Sequence, residues 1–236
     1  MRRRQCVPAA ITILALACGL ASFEAARSEH WEWSFRLILL AAVFDGFDGV
    51  LARRLAVAGP MGQQLDSLSD VVTFGAAPAF LFISYYSGSP DVIRFTVALV
   101  FLSAGMFRLA RYNTGPASSS FSGLPITAAG VLFAAVVTTG PLAGQYVLAS
   151  VAGLLLGALM VSTHPFPTLS RARAKMLPAL VPVFIPVMLW PHADTVALIA
   201  AGGVGLYLVW GLLSRFVDHE GSSVVAEVTG AGSPQP

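Results

Sequence analysis

Long apolar runs follow one another along almost the whole chain, and they leave room for little besides a membrane-embedded fold. Eight such segments can be drawn, at residues 7–23, 35–55, 65–86, 92–110, 124–142, 146–162, 176–190 and 195–213. Each is near the ~20 residues a helix needs to cross a bilayer. Inside lipid a backbone must satisfy its own hydrogen bonds, so each segment is expected to be a helix. The alternating pattern of a membrane barrel is absent. Only 11% of the residues are charged, against roughly 25% in an ordinary soluble domain, and a polar shell cannot be built from so few. The expectation is an all-α, polytopic transmembrane helical bundle of about eight spans, forming one domain over residues 1–216. The tail at 217–236, rich in Gly, Ser and Pro, reads as disordered. Segment 176–190 is the weakest span, since it is short and holds Pro178, Pro182 and Pro186. A broken or re-entrant helix would fit it.

The basic residues give the direction of threading, because cytoplasmic loops collect Lys and Arg. With a cytoplasmic N-terminus and eight crossings, the inside receives Arg2, Arg3, Arg4, Arg53, Arg54, Arg108, Arg111, Arg171, Arg173, Lys175 and Arg215. The outside receives only Arg27, Arg36 and Arg94. Arg2–Arg4 ahead of an apolar run also resembles a signal peptide. The Ala15-Leu16-Ala17-Cys18 stretch is a poor cleavage site, however, and an uncleaved first span is expected. Cys6 and Cys18 suit neither a disulfide framework nor a metal site. His30, His164, His192 and His219 lack metal-ligand spacing. A net charge of +2 with scattered bases excludes a nucleic-acid face.

The acids are distributed far less evenly. Eight of the twelve fall in expected outer loops or in the tail. The remaining four, Asp45, Asp48, Asp66 and Asp70, lie within or at the inner ends of the second and third spans. A carboxylate within a membrane is expensive and marks a functional site. Residues three, four or seven apart share a helix face. Asp45, Asp48, Gly49 and Ala52 therefore group on one helix, with Arg53 beside them, and Gly62, Asp66, Asp70 and Thr73 on the next. A short connection at Ala58-Gly59-Pro60 predicts antiparallel neighbours whose four carboxylates share one cleft. Such a cluster suits a hard divalent cation, and Mg²⁺ in turn binds substrate phosphates. Gly49, Ala52 and Gly62 would let a nucleotide approach the backbone, and Arg53 offers a fork for phosphate oxygens. Taken singly, Gly49 and Ala52 read equally as helix-packing residues, and Arg53 and Arg54 as membrane anchors. No packing role accounts for four aspartates.

Asp45, Asp48, Gly49, Ala52, Arg53, Gly62, Asp66 and Asp70, with the gaps between them, resemble the signature of the CDP-alcohol phosphatidyltransferase family. The stretch from Asp66 through Gly75 to Pro78, with Ser67 where other branches place proline, is similar to the branch that uses serine. Phe107-Arg108-Leu-Ala-Arg111-Tyr-Asn113 and Gly123-Leu124-Pro125 resemble it too. The departures are Ala9, where that branch often has Asn, and Thr127, where it often has a second proline. Neither is expected to touch the metal site. The resemblance implies transfer of a phosphatidyl group from CDP-diacylglycerol to L-serine, with CMP leaving. It implies Asp45, Asp48 and Asp66 as main ligands of Mg²⁺ or Mn²⁺, two ions in all, with Asp70 as general base close to a metal. Gly49, Ala52, Arg53 and Gly62 would line the CDP pocket. It further implies a homodimer in a bacterial inner membrane, among membrane lipids, with its site facing the cytoplasm. Arg108, Arg111 and Asn113 could hold a substrate phosphate or the serine carboxylate. The two arginines could equally be anchors at a helix C-terminus. Arg171, Arg173 and Lys175 would meet anionic headgroups. Other acceptors (glycerol phosphate, inositol, inositol phosphate, choline) stay open. So does a transporter with intramembrane carboxylates, although the internal repeat common in transporters is missing.

Overall fold

The computed structural model describes residues 6–55, 57, 59–114, 123–139, 145–163, 195, 199–203 and 205–206. The expected spans at 176–190 and, for the most part, 195–213 lie outside these residues, as do the tail, Arg2–Arg4, Arg171, Arg173, Lys175 and Arg215. All regular structure among the described residues is helical. The helices are α1 (Cys6–Arg27), α2 (Trp31–Arg54), α3 (Pro60–Asp70), α4 (Ala77–Tyr85), α5 (Asp91–Thr114), α6 (Ile126–Thr138) and α7 (Tyr146–Val161). A π-helical turn, Val71–Ala76, joins α3 to α4 without a break.

Local chemistry sets the ends. α3 starts where Pro60 stands in its first turn, a place where the missing N–H removes nothing. α5 starts at Asp91, whose carboxylate pairs with Arg94 one turn on. Arg94 is buried and also donates to the carbonyls of Ser89 (3.1 Å) and Ile83 (2.7 Å). It thereby ties the last turn of α4 to the first turn of α5. α6 follows Gly123-Leu124-Pro125, and here glycine is required. Gly123 has φ +85°, and a Cβ on it would lie 2.3 Å from the Met160 carbonyl oxygen. The Leu124 N–H donates to the Leu159 carbonyl at 3.0 Å, so this turn is pinned to the last turn of α7.

The π turn has a visible cause. Pro78 supplies no N–H to the carbonyl four residues back, that of Phe74. Just upstream, the Ala77 N–H reaches the Val72 carbonyl, the wider five-residue step. The freed edge of the turn faces α6, where Gly130 lets the backbones meet. A Cβ at Gly130 would lie 2.4 Å from the Phe74 oxygen.

In lipid, helices associate through close packing rather than the hydrophobic effect. The centre is accordingly a cluster of fully buried rings, Phe74, Phe82, Phe101 and Phe133, the last two with centroids 4.6 Å apart. The α3–α4 stretch is the most enclosed of the long apolar helices, with 61% of its apolar window buried against 28% for α1. Isoleucines, leucines and valines of α1, α5 and α7 point outward, as expected of helices whose outer solvent is lipid.

Three helices are long and apolar enough to span: Val7–Arg27, Pro60–Tyr85 and Asp91–Thr114. This is the build of an integral membrane protein. α2 is as long but carries Glu32, Arg36, Asp45, Asp48, Arg53 and Arg54. α6 and α7 have 13 and 16 residues. At 1.5 Å per residue these reach only about 20 and 24 Å, short of a ~30 Å hydrocarbon core.

The expected packing of α2 directly on α3 needs correction. α1 is the main partner of α2 and also packs on α3, while direct packing between α2 and α3 is sparse. The two aspartate-bearing helices face one another across a cleft, with α1 as its third wall.

Candidate active site

Asp45 and Asp48 project from the C-terminal half of α2, three residues apart, and Asp66 and Asp70 from α3, four apart. Asp48 and Asp70 are buried, at 5% and 9% exposure, and Asp45 and Asp66 are half-buried. One carboxylate oxygen from each of Asp45, Asp48 and Asp66 lies within 4.8 Å of the other two. At an effective dielectric near 20, each such pair of like charges repels by about 3 kcal/mol. The trio is therefore a place that draws a cation. Asp70 is not in that trio, but it interacts electrostatically with Asp45, Asp66, Asp48 and Arg108.

Two of the carboxylates are held by hydroxyls from outside the aspartate helices. Thr12 of α1 donates to Asp48 Oδ2 at 2.6 Å, in a buried bond. The Thr12 carbonyl accepts from Ser69 Oγ of α3 at 3.3 Å. Thr127, in the first turn of α6, donates to Asp45 Oδ2 at 3.3 Å. The departure at Thr127, expected to stay clear of the metal site, thus touches one of the aspartates expected to form it. The cause is the Gly123–Pro125 turn, which aims the amino end of α6 at α2. Thr12 carries no signal in the sequence, because a lone threonine in an apolar helix commonly bonds the carbonyl four residues back. It does so here as well, with Pro8 O at 3.2 Å.

The remaining candidates separate. Gly62 is exposed, with open space where a Cβ would stand. A packing role is thereby removed among the described residues. Gly49 and Ala52 are half-buried on the Asp48 side of α2. The backbone of Arg53 belongs to α2, and its side chain lies outside the described residues. Arg108 is buried at 8% exposure and acts on Asp70. Arg111 is exposed and donates to the carbonyls of Val161 (3.0 Å) and Ser162 (3.1 Å), at the C-terminal end of α7. That is the anchoring arrangement, made to a neighbouring helix. Asn113 donates to Ser67 Oγ at 3.0 Å and accepts from Gln63 Nε2 at 3.3 Å, so it links α5 to the aspartate helix α3. Thr73 does not continue the aspartate face, because the π turn begins at Val71. Its side chain is buried against α1, where a Cβ on Gly19 would lie 2.6 Å from Oγ1.

Comparison with known proteins points the same way as the site. A family model described as CDP-alcohol phosphatidyltransferase matches residues 5–164, about two thirds of the chain. A Helicobacter pylori protein named CDP-diacylglycerol–serine O-phosphatidyltransferase is 29% identical over 221 residues, 87% of this chain and 89% of its own. A Bacillus subtilis protein of the same name is 32% identical over 173 residues, 72% of this chain and 95% of its own. One from Methanocaldococcus jannaschii is 37% identical over 134 residues, 57% of this chain and 63% of its own.

Proposed function

We propose, since this chain belongs to the CDP-alcohol phosphatidyltransferase family, that it transfers the phosphatidyl group of CDP-diacylglycerol to the hydroxyl of L-serine, giving phosphatidylserine and CMP. The observation that carries the reaction class is the trio of carboxylate oxygens within 4.8 Å, contributed by two facing helices. Serine as acceptor is supported by the names of the relatives and by Ser67 in the Asp66–Pro78 stretch.

The donor set fits a hard divalent cation. An octahedral Mg²⁺ holds oxygens at ~2.1 Å, so its opposite ligands stand about 4.2 Å apart. Three oxygens confined within 4.8 Å already have roughly that spread. Asp45, Asp48 and Asp66 would hold Mg²⁺ or Mn²⁺, two ions in our reading, with Asp70 at the edge of the set. When bound, such ions neutralise charge on the diphosphate and on the departing CMP. Asp70 takes the proton of the serine hydroxyl as that oxygen attacks the lipid-bearing phosphorus and the bond to CMP breaks. Arg108, buried beside Asp70, is the better candidate of the two arginines for a phosphate or for the serine carboxylate. Gly62, with open space around it, and Gly49, Ala52 and Arg53 across the cleft line the CDP pocket.

In the same reading the N-terminus is cytoplasmic, about eight spans cross a bacterial inner membrane, and two copies form a homodimer. A cleft between helices near the inner surface lets CDP and serine come from the cytoplasm while the acyl chains stay in the bilayer.

The test is a product assay. Purified protein is incubated with CDP-diacylglycerol and L-serine, glycerol phosphate, inositol, inositol phosphate or choline in turn, with Mn²⁺ or with EDTA. Phosphatidylserine and CMP are expected with serine alone, and neither in EDTA. A different lipid product would move the acceptor, full activity in chelator would remove the metal, and no CMP from any acceptor would overturn the reaction class.

A further inference from the structure

Asp45 and Asp48 each accept on Oδ2 from a threonine hydroxyl, and the two threonines come from different helices, α6 and α1. A hydroxyl has one proton to donate. Thr12 has two acceptors within reach, Pro8 O at 3.2 Å and Asp48 Oδ2 at 2.6 Å. The shorter contact to a carboxylate is the stronger and takes the proton. Thr127 holds Asp45 more loosely, at 3.3 Å. It stands in the first turn of α6, behind Pro125, which gives no side-chain cap. The amino end of that helix, with its partial positive charge, thus lies beside an aspartate.

We infer that Thr12 and Thr127 are positioning residues, a pair of hydroxyl clamps that fix the rotamers of Asp48 and Asp45 and aim their second oxygens at the cation shared with Asp66. The inference rests on the metal reading above and adds two residues to it, neither of them within the aspartate signature. A carboxylate has two oxygens with about two acceptor positions each. A proton donated to Oδ2 sets the plane of the carboxylate without using Oδ1. Without the clamps, Asp45 and Asp48 would turn away from one another and from Asp66 to relieve their repulsion. The clamps also explain the geometry of two other elements. Ser69 holds the Thr12 carbonyl and so registers α1 against α3. The Gly123–Pro125 turn holds α6 at the height where Thr127 meets Asp45.

The experiment measures Mn²⁺ binding to purified protein in detergent, by loss of the free-ion electron paramagnetic resonance signal. Proteins are wild type, Thr12→Val, Thr127→Val, Thr12→Ser and Thr127→Ser, each also melted in EDTA to check folding. Valine keeps the shape and removes the hydroxyl, and serine keeps the hydroxyl. Removing a group that orients a metal ligand typically weakens metal affinity by about 10–100-fold. Thr12→Val should fall in that range. Thr127→Val should lose several-fold, since its bond is longer, and both serine variants should bind within about twofold of wild type. Val variants that bind Mn²⁺ like wild type overturn the clamp, as does a loss that serine does not restore. If Thr12→Val fails to fold, Thr127→Val, altered at a half-buried position, decides the matter. Wild-type protein that binds no Mn²⁺ overturns the clamp and the metal reading together.

Discussion

Four aspartates share one region of the fold, and they are not equivalent within it. Asp45, Asp48 and Asp66 converge, whereas Asp70 stands apart in the last turn of α3, next to Arg108 in electrostatic reach. If Asp70 is the base, Asp70→Asn should lower kcat by roughly 10²–10⁴-fold, the usual contribution of a positioned proton acceptor. Mn²⁺ affinity and binding of CDP-diacylglycerol should change little. Asp48→Asn should lose all three. The comparison is made with single-turnover CMP release and Mn²⁺ titration on the same preparations. An Asp70→Asn enzyme with unchanged turnover would end the base assignment. The aspartates were legible in the sequence because a carboxylate in an apolar run has few bland explanations. Thr12 and Thr127 were not, because a hydroxyl in a helix usually answers to its own backbone. Only the fold reveals that these two also reach across to α2.

At the scale of elements, helix identity was legible and helix register was not. The apolar segments locate α1 to α5 to within a few residues, yet α2 runs from Trp31 and α5 to Thr114, through polar ends that hydropathy undercounts. The π turn is the clearer loss. A spacing of three and four residues says where Asp66 and Asp70 lie, but nothing about the hydrogen-bond step that follows them. Pro78 was the available signal. The structure sets one close approach against that turn, Gly130 of α6 beside the Phe74 carbonyl. Gly130→Ala would place a Cβ 2.4 Å from that oxygen, and neither backbone can give way without moving the turn that begins directly after Asp70. Overpacking of this kind costs about 1–3 kcal/mol. We expect a lower Tm and, beyond it, a fall in kcat at temperatures where the variant remains folded, because Asp70 shifts with the turn. Gly130→Ala with wild-type Tm and turnover would show that the π turn is not held from α6.

The whole molecule turns on which side of the membrane the cleft opens. Among the described residues three helices are long and apolar enough to span, and α6 and α7 are shorter. The proposed direction follows from charge placement, with eleven cations expected on one side and three on the other. Two exposed positions can test it. Ser28 lies in the turn between α1 and α2, and Gln64 lies on α3 one turn past the α2–α3 connection, near the aspartates. Since α2 separates them, opposite faces of the bilayer are expected. In a Cys6→Ser, Cys18→Ala background, Ser28→Cys should react with a membrane-impermeant maleimide in right-side-out vesicles. Gln64→Cys should react only in inside-out vesicles. Detergent should make both accessible and so control for burial. Labelling in the reverse pattern would put the aspartate cleft on the outer face, where CDP-linked lipid precursors and free serine would not be expected to meet. It would also remove the rationale for the arginines along with the orientation. The predicted pattern leaves the bilayer to supply the donor lipid laterally, while the water-soluble acceptor enters from the arginine-rich side.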